Sequence, residues 1–320
     1  MLKHILLVSQ DPLQEAGLLD WAFHFAGQQQ AKLTILSVLP EIDYSLLEWL
    51  KNIRPQDQQA QERLGRQQVF QSWLDQAQSL GLDCDLHIEF GKVYLKTVQL
   101  ALQKSVDLVI KKIDTPAHAH ASLFSSQDQH LLRKCPCPLL LYKAESSLPF
   151  NNILASIDVA VEGLDEETYN SNSDTDLNQN ILALANHFAQ ATPNPLSVVH
   201  AWNVDGENLV RYWNVDLTSD DLERLNQHVW FGHHLALDRA LAFLKQAQPN
   251  LKVITPKGEP EVVIPPLIVE AQIDLLVMGT LGRSGLSGVF IGNTAENLLE
   301  SIQCSVLAIK PKGFISPIQP

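Results

Sequence analysis

The sequence predicts two tandem α/β domains, each a doubly wound, mainly parallel sheet of about five strands flanked by helices. Three observations predict this fold. Short apolar segments typical of buried strands alternate with helical segments. Residues recur at a fixed offset along the chain. The 320 residues also suit two domains of about 150 residues each.

The repeat has an offset of 167 residues, the separation of Gly91 from Gly258, and it runs without a gap. Such agreement in one register indicates a duplicated domain, with boundaries expected near residues 1–147 and 148–320. The other repeated pairs are Asp107-Leu108 with Asp274-Leu275, Leu131-Leu132 with Leu298-Leu299, Cys137 with Cys304, and Lys143 with Lys310.

Each half is predicted as strand, helix, strand, long helix, strand, helix, strand, helix, strand. Val161 to Asp176 is acidic and rich in Asn and Ser, which predicts a surface loop. The elements predicted in the first half are Ile5–Val8, Leu13–Gly27, Leu33–Val38, Asp57–Leu80, Leu82–Glu89, Val93–Lys104, Asp107–Lys111, Gln127–Lys134 and Pro138–Tyr142. Those in the second include Ile153–Ser156, Leu196–Ala201, Asp220–Gln248, Pro266–Gln272, Asp274–Val277, Asn293–Ser301 and Cys304–Lys310.

The composition restricts the function classes. A net charge of −13 argues against direct binding to nucleic acid or to an anionic membrane surface, both of which favour basic proteins. No segment has the ~20 apolar residues of a membrane helix. The first eight residues favour a strand over a signal peptide. We therefore expect a cytoplasmic protein.

The cysteines and histidines do not predict a metal centre. Cys135-Pro136-Cys137 is C-x-C, and both thiols adjoin an apolar run, which predicts burial. No histidines stand at the i, i+4 spacing of a helical metal site, so they are interpreted as surface residues. The histidines considered are His118, His120, His228, His233 and His234.

A glycine-rich segment, Val277–Glu296, follows a predicted strand and opens a helix with the spacing G-x₂-G-x₉-G-N-T. Glycines permit close backbone approach to a ligand. Asn293 or Thr294 is expected to cap the next helix, whose first N–H groups can hold an anion. Arg283 adds a positive charge suited to phosphate.

This segment, with the closing strand Cys304–Lys310, resembles the nucleotide-binding signature of the universal stress protein family. The order of elements extends the resemblance over essentially the whole chain, as in tandem members. It implies five-stranded domains similar to the adenine nucleotide alpha hydrolases, and an ATP or AMP ligand, with Mg²⁺ accompanying ATP. The family prefers Ser or Thr where this chain has Asn293, an amide that can still donate to phosphate. The implied nucleotide-binding residues are Ser156, Ile157, Asp158 and Ala201 for base and ribose, Gly279, Gly282, Arg283, Gly292, Asn293 and Thr294 for the phosphates, and Met278 beside them.

The first half lacks these glycines. At the same offset, Gly279, Gly282 and Gly292 are replaced by Lys112, Thr115 and Ser125, whose side chains would crowd a ligand. We therefore expect no ATP there in the family manner. Lys111 and Lys112 are interpreted as a solvated strand end.

Other functional patterns are weaker. Neither a G-x-S-x-G element nor a P-loop lysine is present, so no catalytic set is predicted. An aromatic group, Trp202, Tyr212, Trp213, Trp230 and Phe231, indicates either packing of an insertion or an apolar ligand pocket. The alternatives to a nucleotide-binding stress protein are a carrier or sensor of an apolar small molecule, a scaffold without ligand, and a weak ATP hydrolase.

The resemblance also bears on assembly. Single-domain relatives pair through their last strands, so an intramolecular pseudo-dimer through Pro138–Tyr142 and Ser305–Ile309 is expected. Association of two whole chains into a homodimer is the alternative mode of assembly. Fusion of two copies raises their effective concentration for such pairing.

Overall fold

The fold comes from a computed structural model of the 320-residue chain. It describes residues 2–41, 55–113, 124–161, 171–190, 192, 194–204, 218–280 and 291–320. The chain divides into two compact units. The first unit contains the described residues up to 144 together with 315–320, and the second contains those of 145–314. The division at residues 147 and 148 stays a prediction.

The first unit is a parallel sheet in the order β3-β2-β1-β4-β5 within the described residues. Apolar side chains of its strands are buried on both faces, as a sheet covered by helices requires. Its elements are β1 (His4–Val8), α1 (Ala16–Gln29), β2 (Lys32–Leu39), α2 (Pro55–Ser79), β3 (Cys84–Phe90), α3 (Val93–Gln103), β4 (Leu108–Lys112), α4 (Ser126–Lys134) and β5 (Leu139–Tyr142).

The second unit repeats this topology, because its parallel strands follow the order β8-β7-β6-β9-β10 over the described ranges. The predicted fold class is confirmed. The elements are β6 (Ile153–Ser156), α5 (Ser171–Ala189), β7 (Ser197–Val199), α6 (Ser219–Ala247), β8 (Lys252–Ile254), α7 (Pro260–Glu270), β9 (Leu275–Gly279), α8 (Asn293–Ser301) and β10 (Ser305–Ile309).

The repeated aspartates hold the amino end of each sheet. Asp107 Oδ2 accepts the N–H groups of Lys3 (2.7 Å) and His4 (3.0 Å) at the start of β1. Asp274 Oδ2 does the same for Asn151 (2.8 Å) and Asn152 (3.0 Å) before β6. These residues therefore recur because they fix the central strand.

The repeated glycines have a conformational cause. Gly91 has φ +135° and Gly258 has φ +140°, which side chains other than hydrogen rarely allow. A Cβ on Gly258 would also lie 2.7 Å from Val263 Cγ1, and one on Gly91 would lie 3.2 Å from Lys96 Cε. Each glycine follows the third strand of its unit and precedes the next helix.

Three predicted boundaries were wrong. Helix α1 starts at Ala16 rather than Leu13, because Asp11 Oδ1 accepts the N–H groups of Leu13 and Gln14 in a turn. Helix α7 starts at Pro260, not Pro266, since proline is well tolerated at the first helical position. Residues 171–176 are the start of α5 and not a loop, as the polar residues that favour loops also favour first turns. Residues 162–170 lie outside the described ranges.

The thiols of Cys135 and Cys137 are buried, which confirms the prediction for this pair. Their Sγ atoms are 3.9 Å apart. The contact with Cys135 and burial raise the pKa of Cys137 well above the ordinary thiol range. A thiol held protonated in this way is a poor nucleophile.

Candidate functional site

In the second unit, the sheet order reverses between β6 and β9, and the carboxyl ends of these strands meet there. Open α/β sheets bind ligands at such a point. Ser156 pairs with Met278 across the two strands. Ile157 N–H donates to Val199 O (3.1 Å), which ties the end of β6 to β7. The fold thus brings three of the predicted residues, Ser156, Ile157 and Met278, to one edge.

Asp158 follows at the exposed end of this edge. Helix α5 fixes its backbone, because Asn178 Oδ1 accepts the Asp158 N–H (3.4 Å) and Asn178 Nδ2 donates to the Asp158 carbonyl (2.6 Å). Asn178 is itself buried. The Asp158 carboxylate is therefore presented from an anchored segment rather than from a free turn.

Ala201 lies beyond β7, beside the same edge. The two residues that flank Ala201 donate their N–H groups away from β6. His200 N–H donates to Ile254 O (3.0 Å) and Trp202 N–H donates to Pro256 O (3.1 Å). Successive amides of an extended segment point to opposite sides, so Ala201 N–H points toward β6. Among the described residues it has no acceptor. An amide in this position can donate to a ligand.

The helix that follows the glycine-rich segment begins with an uncapped turn. Gly292 is the N-cap of α8, with no side-chain cap. Its N–H donates to Thr280 O (3.0 Å) and its carbonyl accepts from Glu296 N–H (2.8 Å). The prediction that Asn293 or Thr294 caps this helix was wrong. The two backbone contacts place both residues inside the first helical turn, where their side chains are exposed. Within the described ranges, no side chain caps the first N–H groups of α8, so these groups can hold an anion.

Two of the predicted glycine-loop residues, Gly282 and Arg283, lie in residues 281–290, outside the described ranges. Gly279 has a packing reason of its own, since a Cβ there would be 3.0 Å from Leu177 Cδ2 of α5. Next to it, Thr280 is fully buried, and its Oγ1 has no hydrogen-bond partner in the described part of the chain.

The equivalent edge of the first unit is filled by its own side chains. Lys111 is 2% exposed and its Nζ lies 2.9 Å from Asp128 Oδ1. Asp128 Oδ2 accepts from Ser125 N–H (3.0 Å) and Ser125 Oγ (2.8 Å), which completes a capping box at the start of α4. The interpretation of Lys111 as solvated was wrong, because sequence spacing did not reveal this partner 17 residues away.

A second position in the first unit is filled as well. Val38 corresponds to Ala201. In each unit, the first amide after the central strand donates to a backbone carbonyl, which is that of Leu36 in the first unit and that of Val199 in the second. Val38 and Ala201 each lie two residues beyond that carbonyl. Val38 N–H donates to Gln10 Oε1 (3.3 Å). Arg66 Nη1 holds the Gln10 carbonyl (2.5 Å). The Gln10 side chain therefore accepts the Val38 N–H, whereas the corresponding N–H of Ala201 has no acceptor among the described residues.

Sequence reasoning missed a histidine pair beside the candidate site. His200 is 1% exposed, and its Nε2 lies 2.9 Å from Nδ1 of His233 on α6. The His200 Nδ1 lies 3.3 Å from Ile157 O. The interpretation of His233 as a surface residue was wrong, since its side chain is half-buried and contacts the buried His200, which lies just beyond β7. The only sequence signal was a histidine at the end of a predicted buried strand.

The three aromatic residues of this set that the structure describes, Trp202, Trp230 and Phe231, do not form one group. Trp202 is buried against Val204 and Val229, and its Nε1 donates to Thr255 O (3.2 Å). Trp230 and Phe231 on α6 are exposed by 41% and 63%. Tyr212 and Trp213 lie outside the described residues. Trp202 is thus a core residue, and Trp230 and Phe231 lie on the outer face of α6.

Comparison with known proteins decides the family. The model of the universal stress protein family matches residues 1–143 and again 168–310. This chain belongs to the universal stress protein family. The duplication seen in the sequence is therefore a tandem of universal stress domains, and the predicted resemblance is confirmed.

Several curated relatives match this chain over most of its length. Universal stress protein E of Photorhabdus laumondii is 32% identical over 254 residues, with 78% of this chain and 77% of the relative covered. Universal stress protein E of Salmonella typhi is 29% identical over 290 residues, with 89% and 87% covered. A crystal structure from Pseudomonas aeruginosa UCBPP-PA14, assigned to the same family, has 22% identity and a TM-score of 0.63 over 97% of this chain and 94% of that chain. It supports the fold.

No helix within the described ranges combines the length and hydropathy needed to cross a bilayer.

Proposed function

We propose that this universal stress protein binds an adenine nucleotide, ATP or AMP, at the carboxyl edge of β6 and β9 in its second unit. One observation carries the proposal: this edge keeps an uncapped helix N-terminus at Gly292, while the same edge of the first unit is filled. Phosphate oxygens suit the free N–H groups of such a helix. The second unit is also the one that retains the glycine-rich segment.

The proposal assigns further contacts to the base and the ribose. In it, Ala201 N–H donates to a ring nitrogen of the base, and the Asp158 carboxylate accepts from ribose hydroxyls. Gly282, Arg283, Asn293 and Thr294 complete the phosphate side in the proposal, with Mg²⁺ accompanying ATP. This arrangement offers binding groups and no positioned nucleophile or general base among the described residues, so we propose a sensor of stress-linked nucleotide levels rather than an enzyme.

The first test is to identify the bound ligand. Purified protein is denatured, and the released small molecules are identified by mass spectrometry; ATP or AMP is the expected result. An acylated or other apolar compound would favour a carrier, and the absence of any ligand would favour a scaffold. Turnover of ATP beyond that of the binding-defective variant described next would favour a hydrolase.

The second test locates the site. Gly282→Val is expected to abolish binding of ATP and AMP in isothermal titration calorimetry. Gly17→Val is the control, because a side chain on Gly17 meets no atom within 4 Å and lies in the first unit. Equal affinity in the wild type and Gly282→Val would contradict the proposed site.

Location and assembly remain sequence-based proposals. We place the protein in the cytoplasm and expect the two units to form an intramolecular pseudo-dimer. Sedimentation equilibrium of the whole chain would distinguish a monomeric pseudo-dimer from a homodimer, by mass.

A further inference from the structure

The first unit holds an anion of its own where a phosphate is proposed to bind in the second. The correspondence is set by the sheet: Lys111 lies beside the end of β1 as Met278 lies beside the end of β6. At the same offset, Ser125 corresponds to Gly292 and Asp128 to Ala295. The two edges therefore differ in three polar side chains at one place.

The donors around Asp128 are those that bind a phosphate oxygen. Its carboxylate accepts from the Lys111 ammonium (2.9 Å), the Ser125 N–H (3.0 Å) and the Ser125 hydroxyl (2.8 Å). The carboxylate is fully buried, and it lies at the start of α4, where the helix dipole favours negative charge. An ammonium, a backbone amide and a hydroxyl at a helix N-terminus form an oxyanion site, here filled from within.

One more carboxyl group faces the lysines. Glu15 is buried and accepts from Ser9 Oγ (2.5 Å). Burial raises the pKa of Glu15, while the Ser9 hydrogen bond and the charges of Lys112 and Lys111 lower it less. Lys112 is not held by this carboxyl, since its Nζ donates to Gln14 O (3.3 Å). The Lys111 ammonium therefore contacts the Asp128 carboxylate (2.9 Å) and also donates to the Lys112 carbonyl (2.8 Å).

We propose that Asp128 is a built-in anion that closes the first unit to phosphate, and that the residue at this position decides which unit accepts a phosphorylated ligand. With the carboxylate of Asp128 removed, Lys111 and Ser125 become a site for a free oxyanion. An aspartate introduced at Ala295 places a negative charge at the start of α8, where it repels a phosphate from the second unit. The second statement rests on the proposed function, and the first does not.

The first experiment uses Asp128→Ala in the full chain, which removes the carboxylate and leaves its place beside the Lys111 ammonium open. Thermal unfolding is followed in inorganic phosphate and in chloride of equal ionic strength. We expect a phosphate-dependent rise in the midpoint for Asp128→Ala and none for the wild type. A variant that is unfolded in chloride should regain its helical circular dichroism in phosphate.

The matched control is the double variant Lys111→Met with Asp128→Ala, which installs the residues of the second unit. It has no buried ammonium, so phosphate should not raise its midpoint. If the wild type or the double variant responded to phosphate as strongly as Asp128→Ala, the proposal would be overturned. An absence of any response in Asp128→Ala, including an absence of refolding, would overturn it too.

The second experiment compares Ala295→Asp with Ala295→Asn in binding of ATP. Both variants should fold, because aspartate and asparagine are both well tolerated near the N-terminus of a helix. We expect at least a roughly tenfold weaker affinity for Ala295→Asp, the factor that corresponds to about 1.4 kcal/mol, and a much smaller change for Ala295→Asn. Equal losses would show that size and not charge matters at Ala295 and would contradict the proposal. A wild type without nucleotide affinity would refute the proposed function and leave the phosphate experiment to decide on Asp128.

Discussion

At the carboxyl edge of the first unit, the chain's own side chains fill two hydrogen-bonding positions that remain open in the second. Gln10 takes the N–H of Val38, and Asp128 takes the N-terminus of α4, whereas Ala201 N–H and the first turn of α8 have no such side-chain partners among the described residues. The two scaffolds are alike and the two edges are not. A duplicated domain can therefore lose a ligand site by supplying substitutes for the ligand, in addition to losing its glycines.

The largest effect is expected from breaking the ion pair in the first unit. Lys111→Met leaves the carboxylate of Asp128 buried without its cation, and removal of one partner of a buried pair costs about 3–5 kcal/mol. Urea unfolding of the full chain should show this loss in the transition of the first unit. The double variant with Asp128→Ala should lose much less, because both charges are then gone; an equal loss would mean that the pair is not the cause.

The next effect tests what the two units share. Gly258→Ala forces a side chain into φ +140° and against Val263, with an expected cost of about 1–3 kcal/mol. Gly91→Ala should cost less, because the nearest atom is the flexible end of Lys96. Gly17→Ala is the control, since alanine within a helix is expected to gain up to about 1 kcal/mol. Chemical denaturation measures all three, and a harmless Gly258→Ala would contradict the conformational argument.

A smaller effect is expected at the two helix caps. Ser125→Ala should destabilise the first unit by about 1 kcal/mol, the usual value of an N-cap side chain. Gly292→Ser should instead stabilise the second unit by a few tenths of a kcal/mol and weaken nucleotide binding, because the hydroxyl takes an amide that the phosphate needs. Differential scanning fluorimetry and calorimetric titration test the pair; tighter nucleotide binding by Gly292→Ser would contradict this account of the open cap.

The smallest effect concerns pH. Burial raises the pKa of Glu15, so the folded state favours the neutral carboxyl more than the unfolded state does. Its contribution to stability is complete below the ordinary glutamate range and is lost as the pH rises through the raised pKa. Glu15→Gln should therefore be more stable than the wild type at pH 8 and similar at pH 4. Unfolding free energies of both proteins, measured across this pH range, test this direction. If the wild type became more stable relative to Glu15→Gln as the pH rose, the prediction would be contradicted.

Much of the fold could be predicted because the duplication marks positions with a structural cause. Gly91 and Gly258 need positive φ, and Asp107 and Asp274 hold the central strands, so selection for the scaffold keeps both copies in register. The alternation of apolar segments and helices then predicts the parallel sheet.

The candidate site could be predicted less well, because its decisive contacts join residues that no local pattern links. Lys111 looks like a solvated strand end until Asp128 is found beside it, and His233 looks like a surface residue until His200 is seen. The cap at Gly292 was missed because a glycine offers no capping side chain, and its backbone contacts with Thr280 and Glu296 define it.

The aspartates at the amino ends of the sheets have a consequence for synthesis on the ribosome. The bonds from Asp107 to Lys3 and His4 span 104 and 103 residues, and the bond from Asp274 to Asn152 spans 122. The central strand of each unit is made first, and one of its two edges is paired more than 100 residues later. At translation rates of about 5–20 residues per second, the edge of β1 that pairs with β4 stays open on the order of 5–20 s until Asp107 and β4 emerge. An open edge of an apolar strand favours aggregation during this interval.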